Sequence, residues 1–181
     1  MLKLSDSVLV VVDVQTRLAT MMHGHDVLYH NIERLIKASQ ALKVPILWTE
    51  QAPDKIGPTV PIIHDSLYPL IKPIAKRSFS CWGCDEFVRQ LALTNRRQVI
   101  LAGIETHVCI YQTASELKQH GYDVHIAADA VSSRSLTNTD LTLARMRHEG
   151  MTVTMGESVI CELLRTADHP QFKDVMIHLK R

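Results

Sequence analysis

Three residues of different chemistry stand at or just past apolar runs. They are Asp13 after Val8–Val12, Lys76 after Ile74-Ala75, and Cys109 six positions beyond Gly103. An acid, a cation and a thiol brought together are the parts of a nucleophilic site: the thiol attacks, the acid carries its proton, and the cation steadies the charges. Cys109 is the most informative of the four cysteines. Thr106 reads as a helix N-cap, which puts this thiol about three residues into a helix whose amino end stabilises a thiolate. Each residue also has a plainer reading. Asp13 fits a cap or loop hydrogen-bonder, Lys76 a solvated surface group, and Cys109 a small buried hydrophobe. Cys161, amid Val159, Ile160, Leu163 and Leu164, keeps that last reading.

Other signals compete. Cys81-Trp-Gly-Cys84 is a CxxC ahead of a helix, the layout of a redox motif, but no early strand leads into it in the usual place. Its other reading is a loop whose Phe79 and Trp82 wall a pocket. Ten histidines are scattered without an HExxH, and the CxxC lacks a second pair, so zinc is not expected. There is no GxGxxG after the first strand, no GxxxxGK[ST] and no GxSxG, which removes the main support for dinucleotide, P-loop and α/β-hydrolase readings.

The elements that position these residues follow from hydrophobic periodicity. Continuous apolar runs predict strands at 8–13, 46–49, 98–103, 123–127 and 151–154, with a brief one at 74–76. Helical spacing predicts helices at about 26–42, 85–93, 106–120, 138–149 and 157–166. Five of the seven prolines fall between 51 and 73, an irregular excursion with at most short helices. Regular β then α alternation means a parallel sheet covered on both faces, and such sheets carry their sites at the carboxyl ends of the strands. Asp13, Glu50, Lys76 and the 103–109 turn all fall at that edge.

The 181 residues are 46% apolar and 22% charged, with 20 basic against 19 acidic side chains, an ordinary globular balance for one domain. A net charge of +1 leaves no footprint for nucleic acid, and no apolar run approaches a membrane span. Nothing resembles a signal peptide, and four cysteines make no disulfide scaffold, so a cytoplasmic location is expected.

Taken together, the motifs resemble a known family. Val10-Val-Val-Asp13-Val-Gln15, Lys76-Arg-Ser-Phe-Ser80, Gly103-Ile-Glu-Thr-His-Val-Cys109 leading into Thr113-Ala114, and Gly121-Tyr-Asp-Val-His-Ile-Ala-Ala-Asp129-Ala130 resemble, in order and over nearly the whole chain, the isochorismatase-like cysteine hydrolases. The tail, with Arg145-Met146, Glu157-Ser-Val159 and Ala167 to Lys173, is most similar to the isochorismatase domain-containing branch. The resemblance implies one α/β domain over 1–181, a Rossmann-like three-layer sandwich whose six-stranded parallel sheet has the order 3-2-1-4-5-6. It implies a catalytic triad of Asp13, Lys76 and Cys109, and a cis peptide between Ile104 and Glu105 that aims backbone N–H groups near Glu105 and Cys109 at an oxyanion. A pocket for a small-molecule substrate is expected from Gln15, Trp48, Phe79 and Trp82, within a homo-oligomer.

Two departures refine these expectations. Zinc-dependent nicotinamidases of the superfamily carry Asp-x-His after the second strand, where this chain has Glu50-Gln51-Ala52; His64 alone cannot replace that set, so no metal and no cofactor are expected. Members that hydrolyse the vinyl ether of isochorismate typically lack the cysteine, so Cys109 favours covalent cleavage of an amide-type bond. Non-covalent ether hydrolysis, a thiol redox protein and an oligomeric binding module stand as alternatives. The covalent route has a known difficulty. Reference pKa values of about 3.9 for Asp and 8.5 for Cys make an unaided proton transfer cost about 6 kcal/mol. Burial of the acid, the cation and the helix terminus would have to narrow that gap.

Overall fold

In the computed structural model, residues 1–179 are described, so the last two positions of the expected 1–181 domain lie outside the described residues. The first strand, β1 (Ser7–Val12), is buried at every position because it sits mid-sheet with helices on both sides. After it come α1 (Thr16–Ala19), α2 (His25–Ala41), β2 (Ile46–Gln51), α3 (Pro53–Ile56), α4 (Pro61–Leu67) and β3 (Ile74–Lys76). The second half runs α5 (Asp85–Leu93), β4 (Gln98–Ile104), α6 (Tyr111–Gln119), β5 (Asp123–Ser132), α7 (Leu136–His148), β6 (Thr152–Thr154), α8 (Gly156–Leu164) and α9 (Phe172–Leu179). The six strands pair in parallel in the order β3-β2-β1-β4-β5-β6, as the resemblance implied.

Strand alternation splits the core into two layers. Leu9, Val11, Ile46, Trp48, Ile100 and Ala102 pack with α2, α4, α8 and Val175 of α9. Val8, Val10, Val12, Leu47, Val99 and Leu101 face Phe87 and Leu91 of α5, Ala114 and Leu117 of α6, and Met146 of α7. Burying both faces is what makes the strands read as continuous apolar runs.

The structure departs from the sequence-based expectations in three places. β5 continues to Ser132 because its pairing slips from Leu101↔Ile126 to Gly103↔Val131, five steps on β5 against two on β4. The extra residues present Asp129, whose Oδ1 accepts the Gly156 N–H at 2.7 Å and whose carbonyl accepts the Asn31 amide at 2.8 Å. A local apolar count could not foresee a strand that resumes after a bulge. The helix expected from Thr106 opens instead with a wide π-type turn, Thr106–Ile110, before α6. Glu105, not Thr106, stands at its N-cap position, and the buried Thr106 hydroxyl has no hydrogen-bond partner among the described residues. The short helices α1 and α9 had no expected counterpart.

Gly103 sets how closely the site can be drawn together. Its φ is +125°, and a Cβ there would meet the Val12 carbonyl oxygen at 2.1 Å. Only glycine lets the end of β4 lie this close to the end of β1, from which Asp13 and Cys109 both depart.

Candidate active site

Asp13 follows β1, where alternation would send its side chain the way of Val11, into the α2 layer. Its backbone is left-handed, φ +53°, a conformation that aspartate tolerates better than most residues. The carboxylate therefore meets the residues that share the Val12 face. Thr49 of β2 donates to Oδ1 at 2.8 Å, and Lys76 Nζ of β3 lies 2.6 Å from Oδ2. Both side chains of the ion pair are inaccessible, 2% and 0% exposed.

The three protons of Lys76 already have acceptors. Nζ donates to Gln51 Oε1 at 2.9 Å and to the carbonyls of Ser78 and Phe79 at 3.0 and 2.9 Å. Asp13 Oδ2 is thus held by charge, without an aligned hydrogen bond from the ammonium. This leaves an oxygen of a buried carboxylate with capacity to accept a proton. Burial pushes the Asp13 carboxyl above its ordinary value, against the lowering effect of Lys76 and Thr49. For Lys76, burial alone would lower the pKa, but Asp13 and the neighbouring thiols outweigh it and hold the ammonium charged.

Cys109 lies in the opening turn of the helix that continues as α6, packed in the same layer, where the Asp13 and Lys76 charges both act on its thiol. Burial and then the Asp13 charge push its thiol well above the ordinary range, with Lys76 opposing. The sequence had suggested that a helix terminus would lower this pKa. Desolvation wins because the thiol is 7% exposed. The resting arrangement is a neutral thiol beside a carboxylate–ammonium pair. Burial has moved the acid upward as well, which is the direction that eases transfer from Cys109 to Asp13.

A second buried thiol adjoins this set. Cys81 Sγ is 3.8 Å from Thr49 Oγ1, its N–H donates to Thr113 Oγ1 at 2.9 Å, and burial lifts its pKa to about 12. Cys84 Sγ lies instead 3.8 Å from the Ala75 carbonyl, and all four cysteines are free. The CxxC is therefore not closed as a disulfide.

The expected pocket residues separate on the same geometry. Gln15 is fully buried and spent: it accepts the Gln51 N–H at 2.7 Å and donates to the Gln51 and Gly57 carbonyls at 3.0 and 2.6 Å. Trp48 points into the opposite layer, 0% exposed, with its indole N–H on Thr59 Oγ1 at 2.8 Å. Trp82 stacks on His120 at 4.1 Å beside Tyr122, toward the amino edge of the sheet. Gln15 and Trp48 thus spend their polar groups inside the fold and Trp82 stacks on its neighbours, since strand-end position says nothing of the face a side chain takes. Phe79 stays near, lending its carbonyl to Lys76 while its ring is exposed. The Ile104–Glu105 peptide is cis, and the Glu105 carbonyl accepts the N–H groups of Val108 and Ile110 at 3.0 and 3.2 Å.

Sequence reasoning overlooked Thr49, Gln51 and Arg134. Thr49 could have been found by parity, since it shares the face of Leu47. Arg134 donates from Nε to Glu105 Oε2 at 3.1 Å, across the bulged end of β5 that the sequence did not reveal. Among the described residues no group of three or more His, Cys, Asp and Glu side chains could hold a metal ion. No described helix is long and apolar enough to cross a membrane.

Known proteins share this sequence and architecture. Residues 7–158 match the isochorismatase domain. Isochorismatase domain-containing protein 2 of Xenopus laevis is 38% identical over 170 residues, covering 93% of this chain and 81% of that protein. The solved MAR1 ribonuclease from Caenorhabditis elegans matches with a TM-score of 0.92 at 34% identity, covering 99% of this chain and 92% of its own. YcaC from Pseudomonas aeruginosa, solved with hexane-2,5-diol and covalent acrylamide, matches with a TM-score of 0.90 at 26% identity, over 98% and 90% of the two chains. The chain belongs to the isochorismatase family, within the isochorismatase-like superfamily of hydrolases.

Proposed function

We propose that this isochorismatase-family chain is a cysteine-dependent hydrolase that cleaves a small amide-type C–N bond through a thioester on Cys109, its whole length 1–181 acting as one domain. The observation that carries the reading is the burial of a neutral thiol against an ion pair whose carboxylate still has an oxygen able to accept a proton. Cys109 Sγ attacks the carbonyl carbon as its proton passes to Asp13. Lys76 stays charged throughout, so the site never holds an uncompensated buried ion. Backbone N–H groups around Glu105 and Cys109 receive the developing oxyanion. Asp13 returns the proton to the leaving amine, the C–N bond breaks, and the thioester remains. Asp13 then takes a proton from water as the hydroxyl adds, and the acid product leaves with the thiol restored.

The covalent acrylamide reported for the YcaC relative suits a nucleophile in this fold. Four free thiols suit a reducing cytoplasm, and the exposed Leu70 and Leu93 beside one groove suit a homo-oligomer. A panel of small primary amides, assayed for ammonia release, tests the reading: turnover by the native chain and none by Cys109→Ala is the expected result. Ammonia release that survives Cys109→Ala would end the covalent mechanism. Because one relative is named a ribonuclease, RNA is the second substrate to assay on the same preparation, and RNA cleavage without amide turnover would replace the amide reading.

A further inference from the structure

Thr49 grips Asp13 twice. Its carbonyl accepts the Asp13 N–H at 3.2 Å, and its hydroxyl donates to Oδ1 at 2.8 Å. A hydroxyl carries one proton, and here that proton is spent on the carboxylate. The 3.8 Å contact between Thr49 Oγ1 and Cys81 Sγ must then run the other way, with the thiol donating. Burial lifts the Cys81 pKa to about 12, so its proton is in place at neutral pH. The Cys81 N–H is fixed in turn to Thr113 Oγ1 of α6 at 2.9 Å, and Cys81 and Thr49 are both wholly buried. A one-way chain of donors therefore runs from the turn ahead of α5, through Thr49 of β2, to one oxygen of Asp13. The other oxygen is treated differently. Oδ2 faces Lys76 Nζ at 2.6 Å but accepts no hydrogen bond among the described residues, since the ammonium protons go to Gln51, Ser78 and Phe79.

We propose that Thr49 is a positioning residue for the hydrolytic reaction: its hydroxyl, oriented by the Cys81 thiol, pins Oδ1 of Asp13 and so leaves Oδ2 as the oxygen that takes the Cys109 proton. This rests on the reading of Cys109 as the nucleophile and Asp13 as its base, and it gives the buried Cys81 a use other than redox chemistry. The titratable groups that face Asp13 are Lys76 of β3, Cys81 ahead of α5 and Cys109 ahead of α6. The Thr49 hydroxyl favours the ionised carboxyl, so its removal makes Asp13 take up a proton at higher pH.

Iodoacetamide labelling of the full chain over a pH series, read at each cysteine by peptide mass spectrometry, tests the proposal. The reagent forms the Cys109 S–C bond and releases iodide as the thiol proton passes to Asp13. Thr49→Val keeps the branched shape and removes only the hydroxyl. The acid limb of its Cys109 rate is expected to move up by about one pH unit, a roughly tenfold slower rate on the acid side. Thr49→Ser, which retains the hydroxyl, should return the limb to its native position, and Cys81→Ala should move it in the same direction by a smaller step. A limb that Thr49→Val leaves in place overturns the proposal, as does one that moves equally in Thr49→Ser. So does a Thr49→Val variant whose rate falls by the same factor at every pH, because Thr49 would then serve the scaffold alone. If Thr49→Val does not fold, Cys81→Ala decides, and an unmoved limb there overturns the proposal. Failure of native Cys109 to label while the exposed Cys161 does would remove the nucleophile reading, and this inference with it. A native acid limb that does not respond to Thr49→Val removes this inference alone.

Discussion

At the carboxyl edge of the sheet, β2 places buried polar groups on both faces, and the two faces use them differently. Toward α2 and α4, Glu50 Oε1 accepts both the N–H and the hydroxyl of Thr59 at 2.8 Å, Trp48 donates to the same hydroxyl, and Gln15 spends its whole amide on backbone. Toward α5 and α6, Asp13 Oδ2 lacks an aligned partner among the described residues, and a thiol remains protonated beside the ion pair. The first face is a closed network that fixes the 57–60 loop. The second keeps buried polar capacity in reserve, which costs stability unless something is done with it. Two acids at neighbouring strand ends look equivalent in sequence terms; what their oxygens are bonded to separates scaffold from chemistry.

Breaking the reserve face has the largest expected effect. Asp13→Asn, like Cys109→Ala, should cut amide turnover by about 10³-fold or more; because Asp13→Asn also leaves the buried Lys76 without its counter-ion, turnover is compared per folded protein. The pH dependence of Cys109 alkylation sharpens the point. With Asp13 serving as base and the thiol pushed upward, the native rate should fall toward acid pH as Asp13 protonates, at a pH that burial displaces above the ordinary carboxylate range. In Asp13→Asn it should be lower and climb with pH as an ordinary thiol does. A native profile that climbs in the same way would remove Asp13 from the proton's path.

Lys76→Met comes next and acts on stability as well as turnover. It leaves the Asp13 carboxylate buried without its cation, a loss of about 3 to 5 kcal/mol when that group is ionised. Without Lys76 the folded-state pKa of Asp13 rises further above its unfolded value. The variant should therefore be most stable at acid pH, where the carboxyl is protonated in both states, and lose stability as pH rises through the folded pKa. Denaturant midpoints at several pH values measure this. A variant whose deficit is the same at all pH values would show that Lys76 does not compensate Asp13.

On the closed face the effects are smaller and structural. Gln15→Ala removes three hydrogen bonds to backbone and should lower stability by about 1 to 3 kcal/mol, with the alkylation pH profile of Cys109 keeping its native shape. Trp48→Phe removes one indole hydrogen bond and should lose about 1 kcal/mol in chemical denaturation, with turnover close to native. A changed pH profile in either variant would erase the contrast between the faces.

Much of this arrangement is legible in the chain itself. Period and apolar continuity give the six strands and the order of elements, because a parallel sheet covered on both faces demands continuous runs. Strand-end positions bring forward Asp13, Lys76 and Cys109, and the motif order points to the family. The surroundings of Trp48 and Trp82 were not legible, because a position near a strand end does not reveal which face or which end of a layer an aromatic ring occupies. Arg134 was invisible because the strand that delivers it resumes only after a bulge, with pairing moved from Ile126 to Val131.

The sequence by itself determined the parallel αβ alternation and the chemical types available at its edge, since periodicity and residue identity are local properties. The tertiary structure alone decided how those groups are charged and aimed. A left-handed Asp13 turns the carboxylate to the Lys76 face, Gly103 lets β4 close on Val12, and burial raises the thiol that a helix terminus would have lowered. Desolvation and hydrogen-bond saturation depend on everything packed around a group, and only the assembled layers supply that surrounding.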